Sequence, residues 1–186
     1  MATINKSKYA ILGVLCIKPC SGYDIKKFCD KTISHFWNEN FGHIYPVLKQ
    51  LEGEKLIVPN SKQEEDRKKL YHITEEGKQA FYEWLAQTIV PSPPRSELLL
   101  KLSFGNHMPL EKVNEMLNGV KERHQKNLTE YQVWEASYLE NEAAKKDAAF
   151  PYWLASLRYG ILTTQTTIRW CDETIELLKS FDNRPL

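Results

Sequence analysis

The chain has 186 residues, of which 42% are hydrophobic and 26% are charged, and its formal net charge is +1. This composition is typical of a globular protein and excludes a disordered chain, and no apolar run approaches the roughly 20 residues of a membrane span. A net charge near zero argues against a strong non-specific nucleic-acid binder, so a DNA partner would require positive charge that the fold clusters or that dimerisation doubles.

Two short helices are predicted at the start of the chain. Residues Lys6 to Lys18 are apolar on nearly every side, so this helix should be buried, and Pro19 should end it. No signal-peptide cleavage pattern follows its apolar stretch, and we expect a cytoplasmic protein. After a turn capped by Ser21, Gly22 to Ile33 should form the second helix. Its predicted inner positions are Tyr23, Ile25, Phe28 and Cys29.

The stretch from Phe41 to Leu56 predicts an amphipathic helix around which the first half of the chain is organised. Pro46 should lie in or next to its first turn. The outer face is small, polar or basic, and a DNA major groove accepts one helix with such side chains. An ordinary surface helix is an equally good interpretation of this stretch alone. The inner face carries Ile44, Val47, Leu48 and Leu51.

A hairpin and a fourth helix should follow. Leu56 to Asn60 and Lys69 to Thr74 predict two strands joined by a long charged tip. Three helices and a hairpin in this order are typical of a winged helix-turn-helix. Thr74 should cap the fourth helix, whose apolar stripe is predicted to be Phe81, Trp84, Leu85 and Ile89.

The proline-rich stretch at residues 90–95 predicts a linker between a winged-helix domain, residues 1–89, and a helical domain, residues 96–186. The helical domain should contain a short helix from Glu97 to Phe104, a long helix after Pro109 and a last helix after Pro151. The long helices keep alternating three- and four-residue apolar spacing, which predicts an antiparallel helical hairpin. Its aromatic surface exceeds what two helices can cover, so we predict a homodimer through this half. The polar seam residues His124, Asn127 and Thr164 are candidates to fix the register.

No pattern in the sequence indicates catalysis or a metal. Four cysteines, Cys16, Cys20, Cys29 and Cys171, lie at no metal-ligand spacing and are expected to be buried thiols, with a redox sensor as the alternative. The chain has no phosphate loop, nucleophile elbow or dinucleotide fingerprint, and its histidines are scattered singly. We therefore expect no cofactor, no metal site and no enzyme.

Three segments carry a resemblance to a known family: SGYDIKKFCDKTISHFW, GHIYPVLKQLEGEKLI and RKKLYHITEEGKQAFYEWL. Together they resemble the PadR family of bacterial transcriptional regulators over most of residues 9–86. The long second half is similar to the branch with a helical dimerisation domain, which includes virulence activators of the AphA type. The resemblance implies a winged-helix DNA-binding domain, a dimer, and often repression relieved by a phenolic or other small aromatic compound. Family members commonly have Gly where Lys55 stands and a Gly-rich wing, whereas the wing here reads QEEDRKK.

The predicted fold class is therefore mainly α with a small β wing: an N-terminal winged helix-turn-helix plus a C-terminal antiparallel helical dimerisation domain. Each protomer would place the Phe41–Leu56 helix in a major groove of double-stranded DNA, with half-sites about one helical turn apart. Tyr45 has a second interpretation, in which it packs under the wing with its hydroxyl on a phosphate. The candidate DNA contacts are Asn38, Asn40, His43, Tyr45, Lys49, Gln50, Lys62, Arg67, Lys68 and Lys69.

The function predicted is a sequence-specific transcriptional regulator, a repressor released by a small aromatic effector. The candidate effector pocket is Trp134, Tyr138, Tyr152 and Trp153, although aromatic residues at helical spacing also suit a core. Two alternatives stay open. One is a winged-helix interaction module that has lost DNA binding, which the low net charge and the acidic wing residues Glu64, Glu65 and Asp66 favour. The other is a redox-responsive regulator.

Overall fold

A computed structural model of the chain describes residues 6–34, 36–37, 39–60, 69–89 and 95–182. The chain divides into two compact units, Met1–Pro91 and Ser92–Leu186. The predicted tip of the hairpin, residues 61–68, and nearly all of the predicted linker, residues 90–94, lie outside the described residues.

The described residues are mainly helical, with one two-stranded antiparallel sheet, as the sequence predicts. None of their helices is both long enough and apolar enough to cross a membrane. The first unit contains α1 (Ser7–Ile17), α2 (Gly22–Thr32), α3 (Phe41–Gly53), β1 (Ile57–Pro59), β2 (Tyr71–Ile73) and α4 (Glu75–Leu85). The second contains α5 (Glu97–Ser103), a 3-10 turn (Gly105–His107), α6 (Leu110–Glu140), α7 (Glu142–Lys145) and α8 (Phe150–Asp182).

The core of the first unit forms around α1, which packs against α3, α4 and β2. Ile11 and Leu12 of α1 are fully buried, as predicted from the apolar character of this helix. The backbone of Cys20 pairs with Tyr71 through both of its hydrogen bonds, which attaches the α1–α2 turn to the sheet. The inner face of α3 is buried at all four predicted positions, Ile44, Val47, Leu48 and Leu51.

Helix α2 begins with a capping box, in which the Ser21 side chain accepts from the Asp24 N–H and the Asp24 carboxylate accepts from the Ser21 N–H. Ile25 and Cys29 are buried as predicted, but Tyr23 is 53% exposed, so its prediction as an inner residue was wrong. Tyr23 precedes Ile25 by two positions, which is roughly 200° around the helix. The buried residues Ile25 and Cys29, four positions apart, therefore define the inner face of α2, and Tyr23 lies on the opposite side.

Helix α3 ends at Gly53, three residues earlier than predicted, because the chain forms a Schellman motif. The Leu56 N–H bonds the Leu51 carbonyl at 2.9 Å, and the Lys55 N–H bonds the Glu52 carbonyl at 3.1 Å. This closure places Lys55 at φ 60°, the left-handed region that favours glycine. Pro46 lies in the second turn of the helix, next to the first turn as predicted.

Replacing Lys55 by Gly should raise the free energy of unfolding by about 1 kcal/mol, because Gly adopts a left-handed conformation without the steric cost of a Cβ. Lys55→Val should lower it by a comparable amount, since a β-branched residue tolerates positive φ least. Urea unfolding of the full chain measures both changes. Equal stability of the three proteins would contradict a strained Lys55.

The two strands pair in the register Ile57 to Ile73 and Pro59 to Tyr71. Thr74 caps α4 as predicted, because its hydroxyl oxygen accepts from the Gly77 N–H at 3.0 Å. The helix ends at Leu85, and the predicted stripe was wrong at Leu85 and Ile89, which are 58% and 87% exposed. The part that packs consists of Phe81 and Trp84, with Trp84 stacked on Tyr9 of α1 at 4.6 Å between ring centroids.

The second unit is an antiparallel pair of long helices, α6 and α8, as predicted. Lys121 pairs with Asp172, and 14 residues farther along α6 Glu135 accepts from Arg158, which lies 14 residues earlier on α8. These two ion pairs therefore share one antiparallel register. The short helix α7, which Asn141 caps, lies between α6 and α8 in the chain. Two clusters of buried residues fill the seam: Val113, Leu117, Cys171 and Ile175, then Tyr131, Leu157 and Ile161.

His124 lies in this seam, and within the described residues its Nδ1 atom is buried without a hydrogen-bond partner. Burial, followed by the nearby charge of Arg123, lowers the pKa of His124 from 6.5. The unfolded chain therefore binds a proton more readily than the folded chain does as the pH falls below about 6.5.

Stability should accordingly decrease as the pH falls from about 7.5 to 5.5, and His124→Leu should flatten this dependence because its side chain does not titrate. Urea unfolding at several pH values gives the two slopes. Asn127→Leu replaces a polar residue of the same helix that does not titrate, so it is the control and should keep the slope of the wild type. A His124→Leu slope equal to that of the wild type would remove His124 as the cause.

Candidate nucleic-acid interface

The outer face of α3 is the surface that the sequence predicts to contact DNA. His43, Tyr45, Lys49 and Gln50 are all exposed on it, while the four inner residues hold the helix to the core. Asn40 precedes the helix and caps it, since its Oδ1 accepts from the His43 N–H at 3.0 Å. A capped helix start with exposed side chains is the geometry that recognition helices present to a groove.

A buried carboxylate lies immediately before this helix. Glu39 is 2% exposed, and its Oε1 accepts from the Trp37 indole N–H at 2.6 Å. Its Oε2 lies 3.9 Å from Nδ1 of the exposed His43 and has no hydrogen-bond partner in the described part of the chain. Glu39 is therefore held by Trp37 within the segment before α3, with its second oxygen facing the first turn of the helix, an arrangement that the sequence did not predict.

Two of the predicted DNA contacts near the carboxyl end of α3 are already bonded to acidic residues. Gln50 donates a hydrogen bond to Glu54 at 2.7 Å, and Lys8 donates another at 3.0 Å. Both hydrogen bonds lower the pKa of the Glu54 carboxyl. Lys69 pairs with Glu52 at 3.0 Å, and this hydrogen bond raises the pKa of the Lys69 amine. Both side chains would have to exchange these partners to reach DNA.

Lys49 differs from its neighbours on α3. It is exposed, and among the described residues no carboxylate forms an ion pair with it. Because Lys49 lies four residues after Tyr45, at roughly 100° per residue, the two side chains follow one row along the helix. Lys49 is therefore the α3 cation that can approach a phosphate or a base edge without first breaking an ion pair.

Three aromatic rings form a ladder on the surface at the amino-terminal end of α3. Tyr23 of α2 stacks near Phe41 at 6.4 Å between centroids, and Phe41 stacks near Tyr45 at 6.1 Å. The Tyr45 ring lies over Gly22, where an added Cβ would stand 2.8 Å from its Cε1. The rings are 53%, 44% and 51% exposed in that order. The four-residue spacing of Phe41 and Tyr45 is the sequence signal that predicts two of these rings side by side on α3.

The structure brings together five of the predicted DNA contacts around α3 and places Lys69 beside them through Glu52. The other four, Asn38, Lys62, Arg67 and Lys68, lie outside the described residues. So do the acidic wing residues Glu64, Glu65 and Asp66.

The predicted effector residues do not share one environment. Trp134 and Tyr138 pack against the cluster around Tyr131, with the Trp134 and Tyr131 ring centroids 5.5 Å apart. Tyr152 is 76% exposed and Trp153 is half-buried. A groove of about 400 Å³ in this unit is lined by other residues, including Leu102, Met108, Val113, Leu178 and Phe181.

The four cysteines are free thiols, and three of them are buried. Burial raises the pKa of each of the four, and for Cys29 burial together with Glu39 raises the pKa to about 11. The reactive thiolate is therefore disfavoured near neutral pH, which argues against the redox-responsive alternative.

Two family models match the chain, one in each half. Residues 11–83 match the transcriptional regulator PadR-like family, and residues 94–179 match the virulence activator alpha C-term family. The chain is 31% identical over 131 residues to the negative transcriptional regulator PadR of Bacillus subtilis (strain 168), a match that covers 67% of this chain and 70% of that protein.

Solved structures of two proteins are similar over nearly the whole chain. The Vibrio cholerae virulence activator AphA is 28% identical with a TM-score of 0.79, covering 94% of this chain and 98% of that one. Bacillus subtilis PadR in complex with p-coumaric acid is 26% identical with a TM-score of 0.73, covering 92% and 98%. PadR in complex with operator DNA has a TM-score of 0.82 at 23% identity, covering 95% and 99%, which shows a likeness of fold.

Proposed function

The chain belongs to the PadR-like family of transcriptional regulators, and on this premise we propose that it is a homodimeric repressor that releases its operator when a small aromatic effector binds. It is a winged-helix, DNA-binding regulator rather than an enzyme. The proposal assigns DNA binding to residues 1–89 and dimerisation to residues 96–186, with residues 90–95 as the linker. A regulator that binds the chromosome would act in the cytoplasm.

The observation that carries the DNA-binding proposal is the outer face of α3. It offers Lys49, His43 and Tyr45 on a helix that Asn40 caps and a buried inner face holds in place. The amino-terminal residues of a recognition helix contact base edges in the major groove, and nearby cations contact phosphates.

The homodimer proposal is supported by α8, which carries exposed apolar side chains on the side opposite its seam with α6. One side faces α6 through Leu157, Ile161, Cys171 and Ile175. The other, the outer stripe, consists of Tyr152, Tyr159, Leu162 and Leu177, which are 55–76% exposed and follow one side of the helix at roughly 100° per residue. Exposed apolar stripes of this length commonly mark protein interfaces.

The effector proposal is supported by the relative that has been solved with p-coumaric acid. We propose that Trp134 and Tyr138, which pack beside Tyr131, bind the effector together with the more exposed Tyr152 and Trp153, because aromatic rings offer stacking surface for an aromatic ligand. Titration with p-coumaric acid, followed by tryptophan fluorescence and thermal melting, tests this assignment. No change in either signal at millimolar ligand would contradict it.

A second function, a protein-interaction module without DNA binding, is favoured by one observation. Glu52 and Glu54 engage Lys69, Gln50 and Lys8, which leaves less free positive charge around α3 than a DNA-binding surface usually has. Selection of random double-stranded DNA with the purified full chain discriminates the two functions, since only a sequence-specific regulator enriches a defined site.

On an enriched site, Lys49→Ala should weaken binding about 5- to 100-fold, the usual cost of losing one base-edge or phosphate contact. Gel-shift titrations at several salt concentrations measure the change. If Lys49 contacts a phosphate, the slope of log affinity against log salt should also fall by about one. Lys126→Ala, an exposed lysine in the second unit, is the matched control and should bind as the wild type does. Unchanged affinity of Lys49→Ala would exclude Lys49 from the interface.

A further inference from the structure

From the aromatic ladder at the start of α3, we infer that this protein recognises thymine through its 5-methyl group, with the exposed parts of the Phe41 and Tyr45 rings as the reading surface. The inference rests on the proposed DNA-binding function and names the chemistry of the sequence that would be read.

The aromatic rings of the ladder are partly exposed to solvent instead of buried in the core. Phe41 has no hydrogen-bonding group, yet it is 44% exposed at the first position of α3. Tyr45 lies one turn later and is 51% exposed, with its ring held over Gly22. A Cβ at position 22 would meet this ring at 2.8 Å, so the absence of a side chain at Gly22 sets where the ring lies. The rings are thus a positioned apolar surface and not loose side chains.

The aromatic ladder lies at the amino-terminal end of α3, which is the end of a recognition helix that contacts base edges. Recognition helices contact base edges with their amino-terminal residues. At this end of α3 the exposed side chains with extended surface are Phe41, His43 and Tyr45. The two other exposed residues, Gly42 and Pro46, have no polar side chain. The polar candidate Gln50 lies farther along the helix and donates to Glu54. Apart from His43, the side chains exposed at this end of α3 with extended surface are therefore aromatic rings.

Thymine presents the one apolar group in the major groove that such a surface can recognise. Its C5-methyl projects into the groove, and aromatic and aliphatic side chains contact it. Cytosine offers an amino donor and the purines offer polar edges, none of which a phenyl ring can pair with. Lys49, on the same i, i+4 row as Phe41 and Tyr45, adds the positive charge that holds this row to the DNA.

The test compares thymine with deoxyuracil, which lacks the methyl group and keeps every base-pairing group. The full chain first selects its site from random double-stranded DNA, and each thymine of the selected site is then replaced singly by deoxyuracil. At one or more positions in each half-site, wild-type affinity should fall roughly three- to fivefold, the value of burying one methyl group. This comparison needs no protein variant.

Four variants locate the reading surface. Phe41→Ala and Tyr45→Ala should bind the thymine and deoxyuracil sites alike, whereas Tyr45→Phe should keep the wild-type preference because the ring remains. Tyr45→Phe also separates ring contact from a hydroxyl contact to phosphate, which would weaken both sites equally. Tyr82→Ala removes an aromatic ring of similar exposure, 55%, from α4 and should keep the preference. Thermal melting of each variant shows that it is folded.

Three results overturn the inference. They are equal wild-type affinity for every thymine and deoxyuracil pair, a selected half-site without thymine, and a preference that persists in both alanine variants. Selection that enriches no site at all is a different result, because it overturns the proposed DNA-binding function and the inference with it.

Discussion

Tyr159→Glu should leave the protein a monomer of 21.7 kDa in sedimentation and light scattering, where the wild type is expected to be a dimer. Tyr159 is 65% exposed near the middle of the outer stripe of α8, with Leu162 less than one turn away. A carboxylate in the centre of an apolar interface would lose its hydration without gaining a cation, which costs several kcal/mol per site. In a symmetric dimer each substitution is present twice.

Loss of the dimer should also reduce DNA affinity by roughly 100-fold or more, because two linked half-site contacts gain that factor over independent ones. Gel-shift titration on the selected site measures this second effect. Gln125→Glu is the matched control: it introduces the same charge at an exposed position of α6, outside the outer stripe of α8. It should stay dimeric and bind normally. A Tyr159→Glu protein that remains a dimer would show that the outer stripe is not the interface.

Gly77→Ala should destabilise the first unit by about 3 kcal/mol or more, at the upper end of what overpacking costs. A Cβ on Gly77 would stand 2.1 Å from the carbonyl oxygen of Leu56, and backbone cannot move aside as a flexible side chain can. That carbonyl also accepts from the Thr74 N–H at 3.0 Å and from the Thr74 hydroxyl at 3.1 Å. Moving it would disturb the cap of α4 and the end of α3 together.

Thermal unfolding and DNA binding report the effect of Gly77→Ala, with an expected decrease in Tm of about 10 °C or more for a domain of this size. Gly53→Ala is the matched control, since an added Cβ there meets nothing within 4 Å and the position lies in α3. It should keep or slightly raise the stability, because Ala is the better helix former. A Gly77→Ala protein as stable as the wild type would contradict the close packing of α4 against the end of α3.

Local and periodic features were predictable because short-range rules decide them. The inner face of α3, the Thr74 cap and the pairing of two long helices all follow from residue spacing or from one side chain next to its own backbone. The Gly-x-Ile-Tyr-Pro run and the Tyr-x-Ile-Thr strand pointed to the family for the same reason: they place fixed residues at fixed positions of a fold.

Positions decided by contacts between distant residues were not predictable. The exposure of Tyr23 depends on where the Ser21–Asp24 capping box begins α2 and on a ladder with Phe41, which lies 18 positions away in sequence. Gln50 is hydrogen-bonded to Glu54, and Lys69 forms an ion pair with Glu52. In the sequence, these two glutamates look like any other surface carboxylates. Residue spacing was enough to predict the main helices, the hairpin and the buried face of α3. Which exposed side chains are already paired became clear from the folded chain alone, because ion pairs and ring contacts depend on distances that chain spacing does not fix.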